Sequence, residues 1–256
     1  MTKVCDIAAF LEEKIPAALK MDYDNVGLLC GFPDREVSRV LVALDITIET
    51  IREAADIGAE LFVSHHPVIF SPLYSVRMDD PTGRRVIELL HNGISAICLH
   101  TNLDRHEDGV NTALARAIGA ELETMLDMGC ICRLEEPMEL GDFLAATGKA
   151  LGAEDIRYLD TTGTVQRLAV CGGAGGDMVY EAVKYDCDTV LTGEIKHHQW
   201  IDGKELGLNL IDAGHYPTEN VVVPVLCDML RSAFPEVEIC ASAVQRPLTT
   251  GFGPCY

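Results

Sequence analysis

The sequence predicts an α/β fold: two βαβ-type halves related by an internal repeat, with largely parallel sheets covered by helices. Three observations carry this prediction. Arg39-Val-Leu-Val-Ala-Leu-Asp45, followed by Glu60-Leu-Phe-Val-Ser-His-His66, recurs as Arg167-Leu-Ala-Val-Cys-Gly-Gly173 followed by Asp188-Thr-Val-Leu-Thr-Gly-Glu194, at a constant offset of 128. Between the paired runs lie Thr50-Ile-Arg-Glu-Ala-Ala-Asp-Ile-Gly and Val179-Tyr-Glu-Ala-Val-Lys-Tyr-Asp-Cys, whose apolar positions have helical spacing, whereas the flanks are short β-branched runs. Downstream, Ile94-Ser-Ala-Ile-Cys-Leu-His100 matches Asn209-Leu-Ile-Asp-Ala-Gly-His215 at an offset of 115, and each histidine has a carboxylate four residues on, Asp104 or Glu219. Alternating βαβ units imply a helix-covered parallel sheet, and such sheets gather ligands beyond the carboxyl ends of their strands.

Taken in order, Ile7-Ala-Ala-Phe-Leu-Glu-Glu-Lys-Ile is amphipathic and reads as an opening helix that Pro16 ends or kinks. Asp24-Asn25-Val26-Gly27-Leu28-Leu29 reads as a turn feeding a strand, with no role of its own. The first βαβ unit and the strand before His100 follow, then a helical segment from Asn111 to Gly119. Residues 121–165 are rich in Glu, Gly and Thr with one helical stretch from Leu140, and form the connection and edge of the second half. The second βαβ unit and a helix after Asn220 complete the chain. The predicted division is soft, 1–120 and 121–256.

Composition bounds the function. With 256 residues, 48% hydrophobic and 23% charged, the chain has ample material for buried cores. Forty acidic residues against 20 basic ones give a formal charge of −20, which counts against nucleic acid as a partner and against an anionic membrane surface. The beginning Met1-Thr-Lys-Val-Cys-Asp has no apolar leader and no apolar run reaches the ~20 residues of a spanning helix, so the expected location is cytoplasmic, without membrane attachment. Ten scattered cysteines (5, 30, 98, 130, 132, 171, 187, 227, 240, 255) contain no CxxC and read as free, mostly buried thiols rather than zinc ligands.

The candidate chemistry therefore lies in imidazole and carboxylate. Adjacent residues of an extended chain point to opposite faces, but His65 and His66 stand where a strand turns into a loop and can converge. Taken alone they are equally two histidines of a turn. Together with Asp104, His215 and Glu219 they make a donor set suited to zinc, iron or manganese. Five donors exceed the three protein ligands usual for a catalytic mononuclear zinc and suit two divalent metal ions sharing a carboxylate. Glu194 aligns with His66 through the repeat and is a candidate acid–base or supporting group, and His100 a candidate proton carrier. Cys171-Gly-Gly-Ala-Gly-Gly176 sits where a phosphate-cradling turn belongs but lacks a Walker or dinucleotide pattern, so a tight glycine turn is the favoured reading. His197 and His198 cap a helix or support the site.

Asp24-Asn-Val-Gly-Leu-Leu, Ser64-His-His-Pro-Val-Ile-Phe70, His100-Thr-Asn-Leu-Asp104, Thr192-Gly-Glu194 and Ala213-Gly-His-Tyr-Pro-Thr-Glu219 occur in the order seen in the GTP cyclohydrolase 1 type 2 homologues, the NIF-three-like dinuclear metal proteins, which the chain resembles from residue 24 to 219. The resemblance implies a two-part intertwined fold, a dinuclear metal centre on His65, His66, Asp104, His215 and Glu219, and a toroidal homohexamer with the sites facing its cavity. It also implies hydrolysis of a small nucleotide-like molecule, GTP by the family name, through a metal-bound hydroxide. Two other readings stand beside it: a non-catalytic hexameric metal-binding scaffold, and single-stranded nucleic-acid handling in DNA repair, which the acidity disfavours. Tyr216 stands where some members have a second histidine, and the chain resembles the short form without the long insertion between halves.

Overall fold

The computed structural model describes residues 1–247, which form two compact units. The first comprises residues 1–106 and 223–245, and the second contains 107–222. The division therefore falls at His106/Glu107, and the chain returns to the first unit after Val222.

In the first unit, α1 (Val4–Lys14) ends before Pro16, as its periodicity predicts. Strands β1 (Gly27–Cys30) and β2 (Arg39–Ala43), helix α2 (Ile48–Asp56) and strand β3 (Leu61–Ser64) follow. Next come α3 (Pro81–His91), β4 (Ser95–Cys98) and the single turn α4 (Thr101–Asp104). Thr47 starts α2 by accepting from the Thr50 amide, and Asp80 starts α3 by accepting from that of Gly83, ahead of Pro81. Alternate residues Leu41, Ala43, Phe62, Ala96 and Cys98 bury one sheet face against Ile51 and Ala54 of α2 and Val86 and Leu89 of α3. Burying each of the larger side chains, Leu41, Phe62, Ile51, Val86 and Leu89, contributes roughly 1.5–3 kcal/mol.

The second unit contains α5 (Val110–Ala117), β5 (Glu121–Met125), β6 (Cys130–Glu139), α6 (Leu140–Leu151), β7 (Arg157–Leu159) and β8 (Thr164–Cys171). It continues with α7 (Met178–Lys184), β9 (Thr189–Thr192), α8 (His197–Glu205), β10 (Asn209–Asp212) and α9 (His215–Glu219). The chain then enters α10 (Val222–Ala233) and ends its described part with β11 (Glu238–Ala241) in the first sheet. Residues of α5 join a core with Cys130, Cys132, Leu168 and Val170, which is why 107–120 belongs to the second unit. The opposite sheet face packs Ile131, Ala169, Val190 and Leu210 against Met178, Val179 and Ala182 of α7.

The first sheet runs β1-β4-β3-β2-β11 and is parallel except for β1. The second runs β5-β6-β8-β9-β10-β7 and is mixed, with only β8, β9 and β10 mutually parallel. The largely parallel expectation thus describes the first sheet. Residues 121–165 supply three strands and a helix rather than another βαβ crossover, and this makes the second sheet mixed.

The repeat is visible in the register. Val40 pairs with Leu61 and Leu168 with Thr189, both at the sequence offset of 128. The same offset relates two polar clasps. The Glu60 carboxylate accepts from the amides of Ser38 and Arg39 at 3.0 Å, and that of Asp188 from the amides of Gln166 and Arg167 at 3.1 and 2.8 Å. The Arg39 guanidinium donates to the Ile57 carbonyl, and that of Arg167 to the Tyr185 carbonyl. In the third strand the offset changes. Leu61 pairs with Ser95 but Thr189 pairs with Asn209, an offset of 114, so the second copy carries one more residue before its histidine. Gly214, at φ 86°, takes up the extra residue in a conformation that favours glycine.

The nine cysteines described are free thiols, and Cys255 lies outside the described residues. Among the described residues no helix is long and apolar enough to cross a membrane.

Candidate metal centre

Every residue singled out for chemistry follows the carboxyl end of a parallel strand or stands in the turn behind one. In the first unit β3 ends at Ser64, so the alternation that would separate His65 from His66 stops before either. The Ser64 hydroxyl donates to the His66 carbonyl at 2.8 Å and fixes the bend. The two ring centroids lie 4.9 Å apart, and His100, after β4, stands 5.2 and 5.7 Å from them. One ligand atom from each of the three histidines lies within 4.8 Å of the others. His65 is fully buried, and Asp104 Oδ1 stands 3.7 Å from its Nε2.

Each ring is held from behind. His65 Nδ1 faces the Leu99 carbonyl at 2.9 Å, His66 Nδ1 faces Asp45 Oδ1 at 2.7 Å, and His100 Nδ1 faces Asp24 Oδ1 at 2.8 Å. Carbonyls and carboxylates only accept, so in each neutral ring Nδ1 carries the proton and Nε2 keeps its lone pair. Asp24 also accepts from the Thr101 amide at 2.9 Å and hydroxyl at 2.5 Å. Burial would raise its pKa, but the bonds from His100 and Thr101 prevail and hold it well below the usual carboxylate range.

In the second unit the single turn α9 brings His215 and Glu219 onto one face, with Nε2 2.9 Å from Glu219 Oε2. His215 Nδ1 faces Glu194 Oε1 at 2.7 Å, so this ring too has its Nδ1 proton directed at an acceptor. Glu194 is 59% exposed, in keeping with a group that touches the ring from the solvent side. The first copy uses the same His-to-carboxylate spacing differently. There His100 caps α4 and turns to Asp24, while Asp104 turns to His65.

The glycine run is packed against this turn. A Cβ on Gly173, which has φ 61°, would come within 2.0 Å of Glu219 Oε1, and one on Gly193 within 2.7 Å of the His215 Cα. The Gly173 amide donates to the Thr218 hydroxyl at 3.1 Å. These glycines thus make room for the His215–Glu219 turn, a more specific role than the tight turn expected of them. His197 and His198 open α8 and are exposed.

The donor set fits divalent cations of the zinc, iron or manganese type. It consists of imidazole nitrogens and carboxylate oxygens, with each imidazole held at Nδ1 by an acceptor, the support usual behind metal-bound histidine. A neutral His215 sets a nitrogen lone pair against a carboxylate at 2.9 Å, a geometry that a shared cation reconciles. Sequence reasoning assigned Asp24 no role and passed over Asp45. Asp45 did carry a signal, as a carboxylate just past the end of a parallel strand.

The family model Duf34/NIF3 (NGG1p interacting factor 3) matches residues 2–247. A Clostridium perfringens protein, "GTP cyclohydrolase 1 type 2 homolog", is 33% identical over 85% of this chain and 87% of its own. A Streptomyces coelicolor protein of the same name is 32% identical over 86% of this chain and 82% of its own. Among solved structures, a hypothetical protein of Staphylococcus aureus superposes with a TM-score of 0.90 at 28% identity, over 98% of this chain and 99% of that one. Reduced HcgD from Methanocaldococcus jannaschii superposes with a TM-score of 0.81 at 28% identity, over 94% and 97%. The chain belongs to the Duf34/NIF3 family, and its α/β fold of helix-covered mixed sheets is that family's fold.

Proposed function

We propose that the protein holds two divalent metal ions per subunit on His65, His66, Asp104, His215 and Glu219, and that it is a metal-dependent hydrolase of a nucleotide-like substrate. The observation that carries the metal reading is the gathering of imidazole and carboxylate donors, with His65, His66 and His215 each set at Nδ1 against an acceptor and Nε2 of His65 and His215 turned toward Asp104 and Glu219. The relatives named GTP cyclohydrolase 1 type 2 homolog support the substrate class.

When bound, such ions supply Lewis acidity and an activated water. The chain's own residues do the rest. Asp24 fixes the His100 ring so that Nε2 can accept or return a proton, and Glu194 orients His215. We assign the working form to a toroidal homohexamer in the cytoplasm. Exposed Tyr23, Phe70, Tyr74, Val76 and Met78 give the first unit an apolar surface suited to burial between copies.

Elemental analysis of untagged protein purified without chelator tests the reading. About two ions per chain is the expected value. A value near zero after incubation with zinc, iron or manganese would overturn it. A screen of GTP and related nucleotides on the loaded protein then tests turnover, with His100→Asn expected to keep its metal and lose activity. A loaded protein that turns over none of them would favour the scaffold reading.

A further inference from the structure

The residues that hold His66 extend to the far end of the described chain. Asp45 offers Oδ1 to His66 Nδ1 at 2.7 Å, and its other oxygen, Oδ2, accepts from Gln245 Nε2 at 2.7 Å. The same Gln245 amide accepts through Oε1 from the Leu44 backbone N–H at 2.8 Å. This pairing admits one amide orientation. Oε1 must face the N–H donor, so Nε2 must face the carboxylate. The Leu44 carbonyl accepts from the His66 amide at 2.9 Å. Residues 44 and 45 are therefore gripped by His66 on one side and Gln245 on the other.

Gln245 is itself fixed. It is 9% exposed, and the segment bearing it is tied down by the Ser242 amide to the Val42 carbonyl at 2.9 Å and the Ala243 amide to Glu53 Oε1 at 2.6 Å. The second half lacks the counterpart, because Gly173 stands at the repeat position of Asp45.

We infer that Gln245 is a positioning residue for His66: by holding the Asp45 carboxylate it sets the orientation and Nδ1–H tautomer of the His66 ring, and with them the affinity of the metal position His66 serves. The metal part of this inference rests on the proposed function, whereas the tautomer part stands without it. Loss of a group behind a metal-bound histidine lowers affinity by roughly 10–100-fold. Gln245 acts one bond further out, so the expected loss is about 10-fold. Gln245→Glu sets carboxylate against carboxylate and loses more than Gln245→Met, which removes the donor while nearly keeping the volume.

The test compares full-length wild type, Gln245→Met, Gln245→Glu and Ser242→Ala. Ser242→Ala removes the hydroxyl that donates to Glu53 and accepts from the Gln245 backbone amide, and leaves the Gln245 side-chain amide and Asp45 in place. Zinc affinity is read by competition with a chromophoric chelator, and the His66 tautomer from imidazole 15N shifts of the metal-free protein. The expected result is an Nδ1–H tautomer in wild type and Ser242→Ala, a mixed or Nε2–H state in both Gln245 variants, and weakened zinc binding in those variants alone. Unchanged His66 shifts in Gln245→Met, or equal effects in Ser242→Ala, would overturn the inference. A wild type that binds no zinc, yet shows the tautomer change, would sink the metal reading and leave the positioning role standing.

Discussion

The two halves repeat the same strands but fill their carboxyl ends differently. In the first, Asp45, His65 and His66, and His100 with Asp104 follow successive strands, so side chains crowd the end of the sheet. At the matching places the second half has Gly173, Gly193 with Glu194, and His215 with Glu219. Two positions are emptied to glycine, and the space is taken by one histidine–glutamate turn from further along the chain. Duplicating a βαβ frame thus fixed where polar groups gather, while the choice of glycine or side chain at each strand end decided which donors could stand there. The first half holds His65 and His100 through buried partners, the Leu99 carbonyl and Asp24, whereas the second holds His215 through an exposed Glu194.

The largest expected effect comes from removing the carboxylate on either side. Glu219→Ala and Asp104→Ala should each strip metal and leave the subunit folded, read by native mass spectrometry alongside circular dichroism. A full complement of metal in both variants would end the assignment and make the two sites mere polar turns.

The glycines give a sharper test of the difference. Gly193→Ala places a methyl 2.7 Å from the His215 Cα and 2.8 Å from the Gly173 carbonyl, both backbone atoms that cannot rotate away. Overpacking of this kind costs about 1–3 kcal/mol. The unfolding midpoint in urea should fall accordingly, and metal retention should fall with it. An unchanged midpoint would mean that the emptied strand end is not needed by the turn.

Asp45 tests the opposite point, whether the first half depends on what the second half lacks. Asp45→Asn keeps the shape but removes the charge facing His66 Nδ1 and allows the amide to turn its N–H toward the ring. Metal affinity should drop by roughly 10–100-fold, measured by chelator competition. An affinity equal to wild type would show that both halves manage equally without a carboxylate at this place.

How much of this was legible follows from what sequence pattern encodes. The 128-residue offset was readable because strand, helix and strand each have a period, and the paired register preserves it. The downstream match at 115 located His215 and Glu219 correctly but concealed the one-residue difference at Gly214, because a match anchored on the histidine says nothing about where the strand ends. Strand β6 stayed unread. Its buried start, Cys130-Ile-Cys-Arg-Leu, runs into Glu135, Glu136 and Pro137, and the acidic stretch hides the strand. Asp24 was out of reach for another reason. Its partners His100 and Thr101 are 76 and 77 residues away, and no local pattern relates a loop carboxylate to a ring on another strand end. Gln245, 200 residues from Asp45, is the extreme case.

The smallest effect concerns the clasp that the two halves share. Glu60 is partly buried, which would raise its pKa, yet the amides of Arg39 and Ser38 lower it overall. A carboxyl whose folded pKa is depressed binds its proton more tightly when unfolded. Its stabilisation is therefore present above the unfolded value, near 4.5, and is lost as pH falls through the lower folded value. The urea midpoint of metal-free wild type should decline as pH falls below that point, and Glu60→Gln should start lower at neutral pH and decline less. Asp188→Asn, at the matching place, should lower the neutral midpoint in the same direction, because the same backbone amides lose an ionised acceptor. If Glu60→Gln followed the wild-type acid limb unchanged, the clasp would be a repeated shape without a repeated energetic role. The likeness of the halves would then rest on strand register alone.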